Sequence, residues 1–341
     1  MTSGADHTCT RRIRMSGIVQ GVGLRPTVWR LATEEGLSGH VRNDACGVEI
    51  EVSGPLPAIE RFVERLRSEP PPLARIDHVT IEALALGGSP DGFRIVDSRG
   101  GPITTGIVAD AATCPACLAE VVDPADRRHG YAFTNCTHCG PRLTIVRAIP
   151  YDRGNTAMDV FAMCAKCRRE YDDPADRRFH AEPNACPVCG PRLWLEAADG
   201  ALLEGDAITL AAGRLAEAGL LALKGLGGFH LACDAANEIA VRDLRQRKGR
   251  PAKPLALMVA DLAMAETIAH VGEQERTLLS SPVAPIVLLR RRDGARLAEA
   301  VAPGQTRIGV MLAYTPLHHL LLRAVGRPLG MTSGNRSEEP Q

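Results

Sequence analysis

The stretch CPACLAEVVDPADRRHGYAFTNCTHCGPRL, Cys114–Leu143, lies without a gap on CAKCRREYDDPADRRFHAEPNACPVCGPRL, Cys164–Leu193. Each copy reads C-x2-C-x18-C-x2-C and closes on Gly-Pro-Arg-Leu. Both carry the hexapeptide Asp-Pro-Ala-Asp-Arg-Arg, at Asp123–Arg128 and Asp173–Arg178. Two thiolates three positions apart can grip one tetrahedral ion from a single turn, and a second such turn completes a four-thiolate site. Gly140 and Gly190, each just after the last cysteine of its copy, would let that turn tighten. The insert is held only at its ends, so a segment with little core can fold by coupling to metal binding. The expected ligands are Cys114, Cys117, Cys136 and Cys139 for one ion and Cys164, Cys167, Cys186 and Cys189 for the other. Disulfides and an iron–sulfur site are the competing readings, and two structural zinc ions are the reading adopted. Cross-braced pairing between copies is the alternative to pairing within each. Four thiolates leave no open position for catalysis at the metal. His129, His138 and His180 read as bystanders to the array, and Cys9, Cys46 and Cys233 as ordinary thiols. Asp-Pro opens a turn, so the doubled hexapeptide reads as connector scaffold.

Around this array, residues 110–195, the sequence changes character on both sides. Residues 10–98 alternate strand-like and helical segments. RRIRMSGIV reads as a strand and RPTVWRLATEEG as a helix with Val28, Leu31 and Ala32 on one face, closed by Gly36. LSGHVRND and GVEIEVSG form a hairpin; PLPAIERFVERLRS is amphipathic through Ile59, Phe62, Val63 and Leu66. RIDHVTIEAL and DGFRIVD are strand-like, the second at a sheet edge. The order βαββαβ predicts a ferredoxin-like α/β sandwich. From residue 203 to 341 a second, larger α/β pattern runs, and its turn-rich end, GMTSGNRSEEPQ, predicts a domain that is incomplete.

Charges balance, 40 basic against 40 acidic, and aromatics are 4%, so neither a basic field nor stacking platforms for nucleic acid are expected. A zinc-finger nucleic-acid-binding protein is the competing functional class, and the absence of a recognition helix speaks against it. The first residues lack an apolar signal core, and no apolar run approaches the ~18 residues of a membrane span, so a cytoplasmic protein is expected. The cysteines suit metal binding there better than disulfides.

Two short segments carry anion chemistry. In IVQGVGLRP, glycines two apart allow a sharp turn, so the amides of Gln20, Gly21, Val22, Gly23 and Leu24 can converge on one anion. Arg25 follows at a helix N-terminus, where the dipole favours phosphate. Such a turn is by itself a weak sign, but GHVRNDACGVEIEVSG places Asn43 at the end of the neighbouring strand. Together these segments resemble the acylphosphatase family, with Leu24 in place of its usual Phe. The resemblance implies that Arg25 and the loop amides hold phosphoryl oxygens while Asn43 orients the attacking water.

LRQRKGRPAKPLALMV gathers five basic residues before an apolar strand. A solvated helix end is the plain reading. The segment resembles the K-x-R-P motif of the YrdC-like family, with Lys248 and Arg250 at the matching positions. LLALKGLGGFHLACDA, with Lys224, resembles that family's early strand and loop, and TSGNRSEEP its S-x-N segment, with Ser333 and Asn335. The resemblance implies binding of ATP, with Mg2+, and of a small carboxylate-type substrate, giving an acyl-adenylate and pyrophosphate. A YrdC-like enzyme of tRNA threonylcarbamoylation is a further alternative, opposed by the other two modules.

The three modules in this order resemble the N-terminal part of the HypF family, the carbamoyltransferases of nickel–iron hydrogenase maturation. The resemblance implies cleavage of carbamoyl phosphate, passage of carbamate by an enclosed route, and ATP-dependent formation of carbamoyl-adenylate. A further domain, expected to be absent from this chain, would move the carbamoyl group to the C-terminal cysteine of a HypE-type acceptor, towards the cyanide ligands of iron.

Overall fold

The computed structural model describes residues 8–85, 91–99 and 108–335. The chain divides into two compact units, Met1–Asp110 with Asn135–Gly190, and Ala111–Thr134 with Pro191–Gln341. Residues 336–341, the end of the TSGNRSEEP motif region, lie outside the described residues.

In the first unit the elements run β1 (Thr8–Ile18), α1 (Leu24–Glu34), β2 (Ser38–Asp44), β3 (Gly47–Pro55), α2 (Leu56–Ser68), β4 (Arg75–Leu84) and β5 (Phe93–Ile95). Strand order is β4-β1-β3-β2-β5, so the first six elements form the expected βαββαβ sandwich. β5 adds to the edge, parallel to β2. Alternation fixes which side of the sheet is apolar: Ile13, Met15, Val48, Ile50 and Val52 join Val28, Leu31, Phe62 and Leu66 of the helices in one core. The intervening positions carry charge, with Arg12 donating to Glu51 at 2.9 Å and Arg42 paired with Glu49. α1 stops because Gly36 takes φ +67° and returns the chain. Gly36 N then donates to Thr33 O and Leu37 N to Ala32 O, which satisfies the last carbonyls of the helix.

The array holds two helices that periodicity does not reveal, α3 (Pro115–Val122) in the second unit and α4 (Ala165–Asp172) in the first. Each spans eight residues and begins inside its first C-x2-C, with Cys114 or Cys164 as N-cap. A helix start, rather than a free tight turn, therefore presents the first cysteine pair of each copy. Gly140 does need its freedom: φ is +90°, and a Cβ there would sit 2.7 Å from Asn135 Cβ. Its counterpart Gly190 is not left-handed, so the expectation of a tightened glycine turn holds for one copy only. The hexapeptides are turn scaffold. Asp123 and Asp173 accept from Ala125 N and Ala175 N at 2.9 Å, and Asp126 and Asp176 accept from Arg128 N and Arg178 N. Arg128 and Arg178 are buried, and Arg178 Nε donates to Asn135 O at 3.0 Å.

The second unit continues α5 (Ala207–Ala216), β6 (Leu221–Lys224), β7 (Phe229–Asp234), α6 (Glu238–Lys248), β8 (Ala256–Val259) and α7 (Leu262–Ile268). It closes with β9 (Ala269–His270), α8 (Glu273–Leu279), β10 (Val287–Arg291), β11 (Arg307–Leu312), α9 (Pro316–Val325) and β12 (Leu329–Ser333). These strands form one mixed sheet, β6-β7-β12-β8-β11-β10-β9, in which β8 and β11 are parallel. Strand β11 is buried along most of its length, so RIGVML shows no alternation to read.

Candidate functional site

The loop from Gln20 to Leu24 turns on two left-handed glycines, Gly21 at φ +71° and Gly23 at φ +80°, the second being the N-cap of α1. Gln20 does not face the cavity described below. Its amide donates to Asp44 O at 2.6 Å and Gly47 O at 2.9 Å and accepts from Tyr151 N, fastening the loop to the β2–β3 turn. Val22 is wholly buried in the core. Gly21, Gly23, Leu24 and Arg25 line one cavity with Asn43.

Asn43 is 1% exposed, and among the described residues neither its Nδ2 nor its Oδ1 has a hydrogen-bond partner. A buried carboxamide without partners costs free energy unless something in the cavity completes it. Arg25 is nearly buried: its guanidinium donates to Glu182 Oε1 at 3.1 Å, Asp152 Oδ1 at 3.0 Å and Ser98 Oγ at 3.5 Å. Glu182 also accepts from Tyr171 Oη at 2.8 Å and Arg153 N at 2.9 Å. Burial pushes the Glu182 carboxyl up to about 7, against the pull of Arg25.

Sequence reasoning missed this second wall entirely. Asp152 and Glu182 lie 127 and 157 residues from Arg25, and His180, read as a bystander, also lines the cavity. Arg142, of the first Gly-Pro-Arg-Leu, is fully buried and donates to Cys136 O, Thr137 O, Cys139 O and Gly21 O. One guanidinium thus ties a cysteine turn to the glycine loop. The two copies do differ there, with Gly130 and Ala132 in the first copy, but they differ at every position from His129 to Asn135 as well.

Cys164, Cys167, Cys186 and Cys189 bring their sulfurs together: Cys164–Cys186 and Cys186–Cys189 are 3.8 Å apart and Cys167–Cys189 3.6 Å. Tetrahedral thiolates at about 2.3 Å from an ion would have edges of about 3.8 Å. Disulfides need sulfurs at about 2.05 Å. Pairing therefore falls within the second copy. Burial raises the Cys164 thiol, but hydrogen bonds from Cys167 backbone and from its neighbouring thiols outweigh it and bring it to about 6. Thiolates are what a metal requires.

In the second unit, Lys248 sits at the end of α6 and its ammonium donates to Ser333 O at 2.8 Å and Asn335 Oδ1 at 3.1 Å. Arg250 donates to Thr332 Oγ1 at 3.0 Å. The remaining basic residues have other tasks. Arg245 is buried against Val301 O and Arg250 O, and Arg247 pairs with Asp243 on the surface. Lys224 lies 4.9 Å from the ring of Phe229, whose carbonyl accepts from Gly334 N. Lys224, Lys248, Arg250, Ser333 and Asn335 thus gather around the end of β12.

An anion loop with an unpartnered carboxamide, four-thiolate fingers and a basic cluster on an α/β sheet define a multidomain acylphosphatase-type protein with a YrdC-like module. The acylphosphatase family model matches residues 11–95 and the HypF finger model residues 113–146 and 163–196. The Sua5/YciO/YrdC model, described as telomere recombination, matches residues 214–341. The carbamoyltransferase HypF of Rhodobacter capsulatus is 57% identical over 330 residues, covering 97% of this chain and 44% of the relative. The acylphosphatase of Rhizobium etli is 40% identical over 92 residues, 27% of this chain and 97% of that protein. A crystal structure of full-length HypF in the phosphate- and nucleotide-bound form matches with a TM-score of 0.94 at 42% identity, over 99% of this chain and 44% of that one. The chain belongs to the HypF family. It spans less than half the length of these HypF relatives. No helix among the described residues is long and apolar enough to cross a membrane.

Proposed function

We propose that this chain carries the first two steps of a carbamoyl transfer. The observation that carries the reading is Asn43, buried and without a side-chain partner among the described residues, facing the same cavity as Arg25 behind a two-glycine loop. Carbamoyl phosphate binds with its phosphoryl oxygens on the loop amides and Arg25. Asn43 orients a water that attacks phosphorus, the bond from phosphorus to the acyl oxygen breaks, and carbamate leaves with its electron pair. No nucleophilic side chain is required, because the acyl phosphate is already activated and positioning with charge stabilisation suffices.

In the second step a carbamate oxygen attacks the α-phosphorus of ATP and pyrophosphate leaves, giving carbamoyl-adenylate. Lys248 and Arg250, with Lys224 nearby, supply positive charge to the phosphates, whose companion ion is Mg2+, and Ser333 and Asn335 supply polar contacts. The acceptor is the C-terminal cysteine of a HypE-type partner, on the way to the cyanide ligands of a hydrogenase iron. The ions in the fingers are two structural zincs, and thiolate ligands fit a reducing, cytoplasmic setting. The domain plan is 10–98, 110–195 and 203–341.

The test is phosphate release from carbamoyl phosphate by this chain; turnover indistinguishable from the solution background would overturn the reading. For the second step, Lys248→Ala is expected to lower carbamate-dependent ATP–pyrophosphate exchange by at least about tenfold, the loss of one charged contact to phosphate. Unchanged exchange would remove Lys248 from the site.

A further inference from the structure

The two copies of the finger make the same turn after their hexapeptides. Gly130 N donates to Val121 O at 2.9 Å in the first copy, and His180 N to Tyr171 O at 3.1 Å in the second. Both residues are left-handed, Gly130 at φ +68° and His180 at φ +52°. Glycine takes that conformation freely, whereas for histidine it is uncommon. Ala218 and Ala284 are left-handed as well, so the conformation marks the position but the cavity has to supply the role.

The imidazole of His180 is fixed by two neighbours, with Phe179 at 4.6 Å and Tyr171 at 5.1 Å between ring centres. It borders the cavity shared by Arg25 and Asn43. Two positions on, the second copy has Glu182 on Arg25 where the first has Ala132. The second finger lines the cavity with His180, Ala181, Glu182 and Pro183, where the first copy has Gly130, Tyr131, Ala132 and Phe133.

Resting on the acyl-phosphate reading above, we propose that His180 recognises the acyl end of the substrate, accepting a hydrogen bond from an N–H carried on the acyl carbon. The phosphoryl group takes the loop amides and Arg25, and Asn43 takes the water. The acyl group is left with the wall built by the second finger. Burial, and then the charge of Arg25, hold the imidazole down at about 4, so it is neutral and keeps a lone pair to accept with. A carbamoyl group offers such an N–H, and an acetyl group does not. Glu182 and Asp152 act on the reaction through Arg25, as positioning residues.

The experiment compares kcat/KM for carbamoyl phosphate and acetyl phosphate in the wild type, His180→Gly and His180→Asn. Glycine restores the residue of the first copy and relieves the backbone. Asparagine tolerates the left-handed conformation and keeps an acceptor. In His180→Gly the ratio favouring carbamoyl phosphate is expected to fall by about tenfold, with part of it regained in His180→Asn. Metal content equal to that of the wild type verifies that the finger has folded. An unchanged ratio, including an equal fall for both substrates, overturns the role of His180. Wild-type protein that releases phosphate from neither substrate would instead remove the acyl-phosphate reading itself.

Discussion

Arg25→Ala is expected to lower phosphate release from carbamoyl phosphate by roughly a thousandfold, the loss that follows removal of a preorganised group from developing charge. Arg25 also neutralises Glu182, which is 1% exposed. Its removal leaves the Glu182 carboxyl buried beside Tyr171 without its cation, so part of the effect would come from disturbance of the wall. Asn43→Ala separates the two contributions. The Asn43 carboxamide has no partner to lose among the described residues, and deleting it removes a buried, unsatisfied group. Its thermal stability is expected to equal or exceed that of the wild type, while phosphate release falls at least about a hundredfold. Phosphate release measured with bound metal and thermal unfolding checks both variants. Retained turnover in both would take the chemistry away from this cavity.

The part of the site that the sequence made legible is the part built from local chain. The loop Gln20–Leu24, Arg25 and Asn43 lie within one strand–helix–hairpin run, where a sharp glycine turn, a helix start and a strand end follow each other closely. Glu182 and Asp152 meet Arg25 only through tertiary structure, and neither stands in a motif whose spacing carries chemistry. The departure of His180 and Glu182 from Gly130 and Ala132 was visible in the repeat, but only the cavity gives it meaning. Secondary structure was lost in the same way. α3 and α4 are too short to show a period, and α8 spans seven residues with a largely polar sequence. β7 and β11 escaped for different reasons: β7 is half-exposed at one end and buried at the other, and β11 is buried nearly throughout.

Removing the metal from the second finger is expected to abolish phosphate release, although none of its four cysteines lines the cavity. The link is a short run of chain. Asn184 Nδ2 donates to Cys167 O at 3.0 Å, and Arg153 holds Asn184 O at 3.0 Å and the Glu182 carbonyl. From there the Glu182 carboxylate reaches Arg25. The cysteine turn at Cys186–Cys189 closes the same segment. With little apolar core of its own, this segment keeps its shape through thiolate bonds, and folding and metal binding are one equilibrium. Wild-type protein is expected to hold about two zinc ions by its ligand count, and Cys167→Ser about one. Cys167→Ser is expected to lose phosphate release by at least about a hundredfold, because Arg25 is released from its partners and the second wall collapses. The measurement pairs metal analysis with phosphate release. Full turnover in protein lacking the second zinc would show that Glu182 and His180 stand beside the reaction rather than within it.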